Sequence, residues 1–285
     1  TVMPKEIKDG YWRGQFLRVN REVAAAQDSQ IAFFGDSITW HWSLGRKAGE
    51  AQWKQYYSQY NPINMGNSGD ITPVMLYRVT HGNLDFARGR EPRVAVLLCG
   101  INNYIVTGSA GGKVKWDLGL DCPPEDVAHG ARAVAQVFRR RLPRTRLIML
   151  GIFPVANDAK RANCYKTNAV NAGMARNDDE VIFMDLKDKF LRPDGSIDMD
   201  LFTDGTHLTP AGYKVWADSL TPAIEKIMTG PPLSPVKIML IGDSITEGAD
   251  SSCSYRRYLD GMLRRRGLII DFVGRLTRHN DSRTE

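Results

Sequence analysis

The chain has 285 residues, 42% of them apolar and 25% charged, with a formal charge of +6. That apolar content is enough for a sizeable core and argues against disorder, while no apolar run reaches the roughly 18 residues of a membrane-spanning helix. The densest basic clusters, Arg139-Arg140-Arg141 and Arg264-Arg265-Arg266, each close a helix-like segment. Cations there complement the negative end of a helix dipole, so neither builds a nucleic-acid face and no nucleic-acid partner is expected. No charged-then-apolar leader follows Thr1, which leaves export undecided.

In chain order, helix-like and strand-like segments alternate. Residues 12–27 read as a helix, 31–34 as a strand, 50–60 as a helix and 62–65 as a strand. A helix over 74–88, a strand over 94–99, a helix over 124–141 and a strand over 146–152 follow. The unit closes with a helix over 164–176, a strand over 181–184 and a helix over 209–228, where Pro210 takes the first position after a Thr209 cap. The strands are short and continuously apolar, as strands buried on both faces of a parallel sheet are. The alternation predicts a three-layer α/β/α sandwich with a five-stranded parallel sheet in flavodoxin-like order.

Three prolines and a glycine within residues 229–235 then make a stiff, extended connection. Beyond it, Ile241-Gly242-Asp243-Ser244-Ile245-Thr246 repeats Phe34-Gly35-Asp36-Ser37-Ile38-Thr39 at a spacing of 207. Each copy follows an apolar run and precedes a helix-like segment, so one strand–turn–helix unit occurs twice. The expected organisation is a domain over 1–228, a linker over 229–236 and, over 237–285, the truncated start of a second domain too short to bury its own core.

Gly35-Asp36-Ser37 lies where a buried strand ends, which puts the Ser37 hydroxyl at the carboxyl edge of a parallel sheet, the usual location of an α/β active site. Alone the motif is a common turn. A serine nucleophile also needs a base and a group to orient that base. Of five histidines, His207 sits in Asp204-Gly205-Thr206-His207, where one turn lets Asp204 hold the ring while its far nitrogen faces Ser37. His41, between Trp40 and Trp42, reads as a pocket wall or packing residue. His81 and His129 fall in helical segments, and His279 in the terminal stretch. The Asn64 to Asp70 block after the second strand contains Gly69, whose N–H can approach a ligand without a Cβ in the way. Asn102 after the third strand can offer a side-chain amide to an oxyanion. Cys99, Cys122, Cys164 and Cys253 form no CxxC pair and have no His at zinc spacing, so neither a metal nor a cofactor is expected. Cys122 and Cys164, both in loop-like stretches, would pair only in an exported protein; free thiols are the preferred reading.

These four blocks, Gly35-Asp36-Ser37, the Gly69 block, Gly100-Ile101-Asn102 and Asp204-Gly205-Thr206-His207, resemble in order those of the SGNH or GDSL hydrolases. The resemblance runs from about Ile31 to Ile227. Within the family it is similar to the platelet-activating-factor acetylhydrolase Ib catalytic-subunit type, supported by Leu76-Tyr77-Arg78, Leu150-Gly151-Ile152-Phe153-Pro154 and Asp194-Gly195-Ser196-Ile197. It implies Ser37 as nucleophile, His207 as base and Asp204 as its partner, with an oxyanion hole from the N–H groups of Ser37 and Gly69 and the amide of Asn102. Asp36, Trp40 and Asn103, which flank these residues, are expected to contact substrate. An extra stretch over 105–121 departs from the acetylhydrolase type and is expected to reshape access to the site. The tail from Lys237 resembles the start of carbohydrate esterase family 3, and Ser244, without partner blocks, reads as non-catalytic.

The expected activity is metal-independent hydrolysis of small acyl esters, acetyl foremost, with an acetylated sugar or polysaccharide as natural substrate. The alternatives are a lysophospholipase or thioesterase, and a catalytically idle binding module of the same fold. Compartment and oligomeric state stay open, with a lean to a secreted or extracytoplasmic setting.

Overall fold

The computed structural model describes residues 10–87, 89–104, 122–175, 181–242, 255–265 and 268–273. The expected segment 105–121, Ser244, Cys253 and His279 lie outside the described residues. Five apolar runs pair into one parallel sheet: β1 (Ile31–Gly35), β2 (Ile63–Gly66), β3 (Val94–Leu98), β4 (Arg146–Leu150) and β5 (Val181–Met184), in the order β2-β1-β3-β4-β5. This is the doubly wound order expected from the sequence.

Side chains alternate across the sheet and divide the core in two. Phe33, Val96, Leu98, Ile148 and Leu150 point to one face, against α3 (Glu50–Tyr57) and α7 (Pro210–Thr229). Ala32, Phe34, Ala95, Leu97 and Met149 point to the other, against α1 (Gly10–Ala25), α4 (Thr72–Thr80) and α5 (Pro124–Arg141). Helix α6 (Asp158–Ala175) packs beside α5 and buries Cys164. The result is the three-layer sandwich. Strand β2 is an edge, and Arg18 of α1 covers it, donating to the carbonyls of Asn64 at 3.1 Å and Gly66 at 2.8 Å. Pairing of that edge with another chain is thereby discouraged.

Several local expectations shift. A short helix α2 (Ser37–Ser43) follows β1 directly; its β-branched and Trp residues carry little helix propensity, and tertiary packing makes up the difference. Trp42 from this helix lies 4.0 Å, centroid to centroid, from Trp216 of α7, within a cluster that includes Phe33, Trp53 and Tyr57. Helix α4 ends at Thr80 instead of running through residue 88, because the chain turns at Gly82, whose φ is +119°. Helix α6 starts at Asp158, six residues before the expected start, and Asn157 Oδ1 accepts the Lys160 N–H beside its first turn. Cys164 thus lies on a helix and is buried; it and Cys122 are free thiols.

At the end of α7, Arg93 donates to the carbonyls of Ile227, Met228 and Gly230, satisfying groups that a helix terminus leaves open. The chain then enters a separate two-stranded parallel sheet, β6 (Val236–Met239) with β7 (Ile270–Val273), and between them helix α8 (Tyr255–Arg265). At the 207-residue spacing of the sequence repeat, β7 coincides with β2 and α8 overlies α3. The resemblance between the two halves therefore extends past the Gly-Asp-Ser motif. Arg144 and Asp271 form an ion pair at 3.8 Å between this sheet and the loop before β4.

Candidate active site

Register brings the site together. Gly35 at the end of β1 pairs with Gly66 on one side and Leu98 on the other, so the segments carrying Ser37, Gly69 and Asn102 leave the sheet side by side. Ser37 is the first residue of α2, and Asp36 caps that helix through Oδ1, which accepts the Ile38 N–H at 2.9 Å. Gly66 lets β2 pass under α2: a Cβ there would lie 2.3 Å from the Trp40 nitrogen. Gly69 has φ +82° and faces the Trp12 ring, so this turn needs glycine twice over, for conformation and for space.

The Asp204 to His207 turn is closed by its own carboxylate. Asp204 Oδ1 accepts the backbone N–H groups of Thr206 at 3.2 Å and His207 at 2.8 Å. Its Oδ2 accepts His207 Nδ1–H at 2.8 Å, and His207 Nε2 accepts the Ser37 hydroxyl at 2.9 Å. This bonding fixes the histidine tautomer: Nδ1 carries the hydrogen and Nε2 is free to take one. Partial burial works to raise the Asp204 carboxyl, but the backbone and ring hydrogen bonds of His207 and the Thr206 N–H hold it below its ordinary value. Asn102, nearly buried, donates from Nδ2 to the Asp70 carbonyl at 2.9 Å.

Two residues at this site, Tyr213 and Arg46, were not legible as such in the sequence. Tyr213, on the first turn of the helix that follows His207, donates its hydroxyl to the Ile38 carbonyl at 2.6 Å. It ties the helix that begins at Ser37 to the helix that follows His207. The Arg46 N–H donates to His41 Nδ1 at 3.1 Å, and its guanidinium reaches Asp204 Oδ2 at 3.4 Å. His41, which the sequence suggested as a wall or packing residue, is buried and lies edge-to-face with His207 at 5.2 Å between ring centroids. Burial, with the charges of His207 and Arg46, pushes it down to about 4.

Two expected substrate contacts are placed differently. Asp36 is fully buried as the α2 cap. Asn103 is also buried and faces α4, its Oδ1 accepting the Thr72 N–H and its Nδ2 donating to the Thr72 hydroxyl, both at 3.1 Å. Both side chains serve the scaffold because the strand ends they follow turn inward. Trp40 is partly exposed and packs on His41 at 4.9 Å. Among the described residues, no three His, Cys, Asp or Glu side chains gather to hold a metal ion, and no helix is long and apolar enough to cross a membrane.

The order of these blocks along the sheet edge has a counterpart among known proteins. The sequence profile of the GDSL-like lipase/acylhydrolase family matches residues 33–215. The chain belongs to this family. It is accordingly a hydrolase that acts on esters. The platelet-activating factor acetylhydrolase IB subunit alpha1 of Bos taurus is 25% identical over 232 residues, covering 79% of this chain and 89% of its own length. The subunit alpha2 of Rattus norvegicus is 26% identical over 229 residues, covering 79% and 88%. In fold, the chain is similar to a GDSL-like lipase of Bacteroides thetaiotaomicron, with a TM-score of 0.54, 19% identity, and coverage of 74% of this chain and 97% of that one.

Proposed function

We propose that the protein is a serine esterase that removes small acyl groups, acetyl foremost, through Ser37, His207 and Asp204. The carrying observation is the unbroken chain of hydrogen bonds from the Ser37 hydroxyl through the His207 ring to the Asp204 carboxylate. Ser37 Oγ attacks the ester carbonyl carbon while His207 Nε2 takes its proton and Asp204 steadies the imidazolium. The oxyanion that forms is met by the N–H groups of Ser37 and Gly69 and by the Asn102 amide. His207 returns the proton to the departing alkoxide, leaving an acyl-serine that water hydrolyses by the same steps in reverse order.

Two lines support an acetyl group. The similar mammalian proteins are named as acetylhydrolases, and the sequence of the repeated tail resembles a carbohydrate esterase. An acetylated sugar is the substrate class this reading favours, with an acetylated phospholipid as the competing one. Residues 1–228 carry the site, 229–236 link, and the stretch from 237 begins a second unit of the same design; the 207-residue spacing shared by β2 and β7 supports this division. Hydrolysis of 4-nitrophenyl esters of rising chain length, followed by acetate release from acetylated glycans and phospholipids, tests the reading. Acetate preference supports it. Preference for long chains points to a lysophospholipase or thioesterase, and no turnover of any ester to a binding module.

A further inference from the structure

Behind the candidate oxyanion hole lies a fully buried ion pair that the reaction scheme does not use. Arg78 of α4 and Asp70 are both inaccessible to solvent. Burial pushes the Asp70 carboxyl up and the Arg78 guanidinium down, and each is opposed by the charge of the other. Every nitrogen of the guanidinium is engaged. Nη1 donates to Asp70 Oδ2, Nη2 to the Met65 carbonyl at 2.5 Å, and Nε to Asn83 Oδ1 at 2.7 Å. The group also lies over the Phe34 ring, 4.4 Å from its centroid. Asp70 is clamped further: its Oδ1 accepts Asn67 Nδ2–H at 2.8 Å, and the Asn67 N–H reaches the Gly35 carbonyl at 2.9 Å.

A well-packed apolar substitute for a buried ion pair is often as stabilising as the pair itself, so stability alone does not account for this one. Another role is visible at the Asp70 main chain. Its carbonyl accepts one of the two hydrogens on Asn102 Nδ2. This bond sets the plane of the amide and leaves the second hydrogen for an oxyanion. Arg78 thus ties three parts of the site to one rigid group: the end of β2 through Met65, the Gly69–Asp70 turn through the carboxylate, and Asn102 through the Asp70 carbonyl.

We propose that Arg78 is a positioning residue for ester hydrolysis, acting through Asp70 to aim the Asn102 amide and the Gly69 N–H at the oxyanion. The proposal rests on the reading of Ser37 as nucleophile and Asn102 as oxyanion donor. Donors aligned in advance act on the transition state more than on bound ester, so loss of alignment appears in kcat and not in KM.

The test compares Arg78→Lys, Arg78→Gln, Asn102→Ala and the Arg78→Gln/Asn102→Ala pair on 4-nitrophenyl acetate, with activity expressed per folded molecule from circular dichroism. Arg78→Gln is expected to lower kcat by about 10–100-fold with KM little changed, Arg78→Lys less. The double variant is expected to lose less than the product of the two single losses, since the Asn102 donor that Arg78→Gln misaims is already missing in Asn102→Ala and only the Gly69 N–H remains to be misaimed. Losses that multiply, or a lowered melting temperature with kcat per folded molecule intact, overturn the proposal and leave Arg78 a packing residue. If the Arg78 variants do not fold, Asn67→Ala decides the matter by loosening the same turn: a fall in kcat alone supports the proposal, and an unchanged kcat overturns it. Ser37→Ala is run alongside. Activity surviving in Ser37→Ala refutes the proposed function itself, whereas a dead Ser37→Ala with fully active Arg78 variants refutes only the role of Arg78.

Discussion

Arg46 and Asp204, 158 residues apart in sequence, meet at 3.4 Å on the same carboxylate oxygen that holds His207 Nδ1. The guanidinium therefore competes with the imidazole for one acceptor. It also places a positive charge beside the ring that becomes positive in the proposed reaction. Both partners are substantially exposed, so solvent and salt moderate the effect.

Replacing Arg46 with Gln is accordingly expected to raise kcat modestly, by about twofold at low salt and less at high salt, because the imidazolium of the proposed reaction loses a repelling cation and the Asp204 carboxylate loses a competing donor. Steady-state kinetics of both proteins at two ionic strengths check this, and an unchanged or lowered kcat would refute it.

Ser37→Ala and His207→Ala are each expected to reduce kcat at least about 10³-fold, and Asp204→Asn somewhat less. The Ser37 side chain buries little apolar surface, so its loss leaves the melting temperature near that of the wild type. Residual turnover above about a tenth of wild type in Ser37→Ala, measured on 4-nitrophenyl acetate, removes it as nucleophile.

Much of the candidate site is readable in the sequence alone. Ser37 follows the end of an apolar strand by one residue, and Asp204 and His207 are three residues apart in one turn, so local pattern is enough to suspect them. The parallel sheet is readable from strand–helix alternation for the same reason, and the expected flavodoxin-like order is the one observed. Arg46, Tyr213 and Arg78 were not readable, because their partners lie on other elements and only tertiary packing selects them. The helix-like segment expected after the Gly-Asp-Ser motif had no readable bounds, since helix α2 is held by Trp42 against Trp216 more than by the propensity of its own residues. Asp36 and Asn103, expected to contact substrate, are buried and hydrogen-bonded to the scaffold: adjacency in sequence to Ser37 and Asn102 says nothing about the direction in which a side chain turns.

Buried Asp36 gives the protein a pH-dependent stability. Burial raises its carboxyl from 3.8 to about 7. Between these values the unfolded chain has released a proton that the folded chain still holds, so stability present at low pH is lost as pH rises through the window. Asp36→Asn keeps an oxygen to cap Ile38 but has no proton to lose. Urea unfolding at pH 4.5 and 7.5 is expected to show a decline across that range smaller in the variant by on the order of a few kcal/mol. His41 contributes an opposite slope, common to both proteins. Equal pH dependence in the two would contradict the assignment.

A chain ending at Pro232 is expected to retain kcat/KM within about twofold, because the residues proposed to act lie before that point and few contacts cross such a linker. It loses the Arg144–Asp271 ion pair, about a third exposed on the arginine side and buried on the aspartate side, and leaves Arg144 to Glu91 at 3.7 Å and to solvent. Ser244→Ala in the full chain is expected to be silent. A large fall in activity in either case would bring the tail into the site.

The hydrogen bond between Ser37 and His207 joins positions 170 residues apart, one at the first strand of the sheet and the other beyond the fifth. No partly folded chain can form it without nearly the whole sheet in place. Esterase activity is therefore a late clock for refolding. Tryptophan fluorescence from Trp42 and Trp216 should recover no later than turnover after dilution from denaturant, and any collapsed intermediate should be bright but idle. Proteolytic nicking or ageing that frees the His207 segment should silence the enzyme before the rest of the molecule unravels.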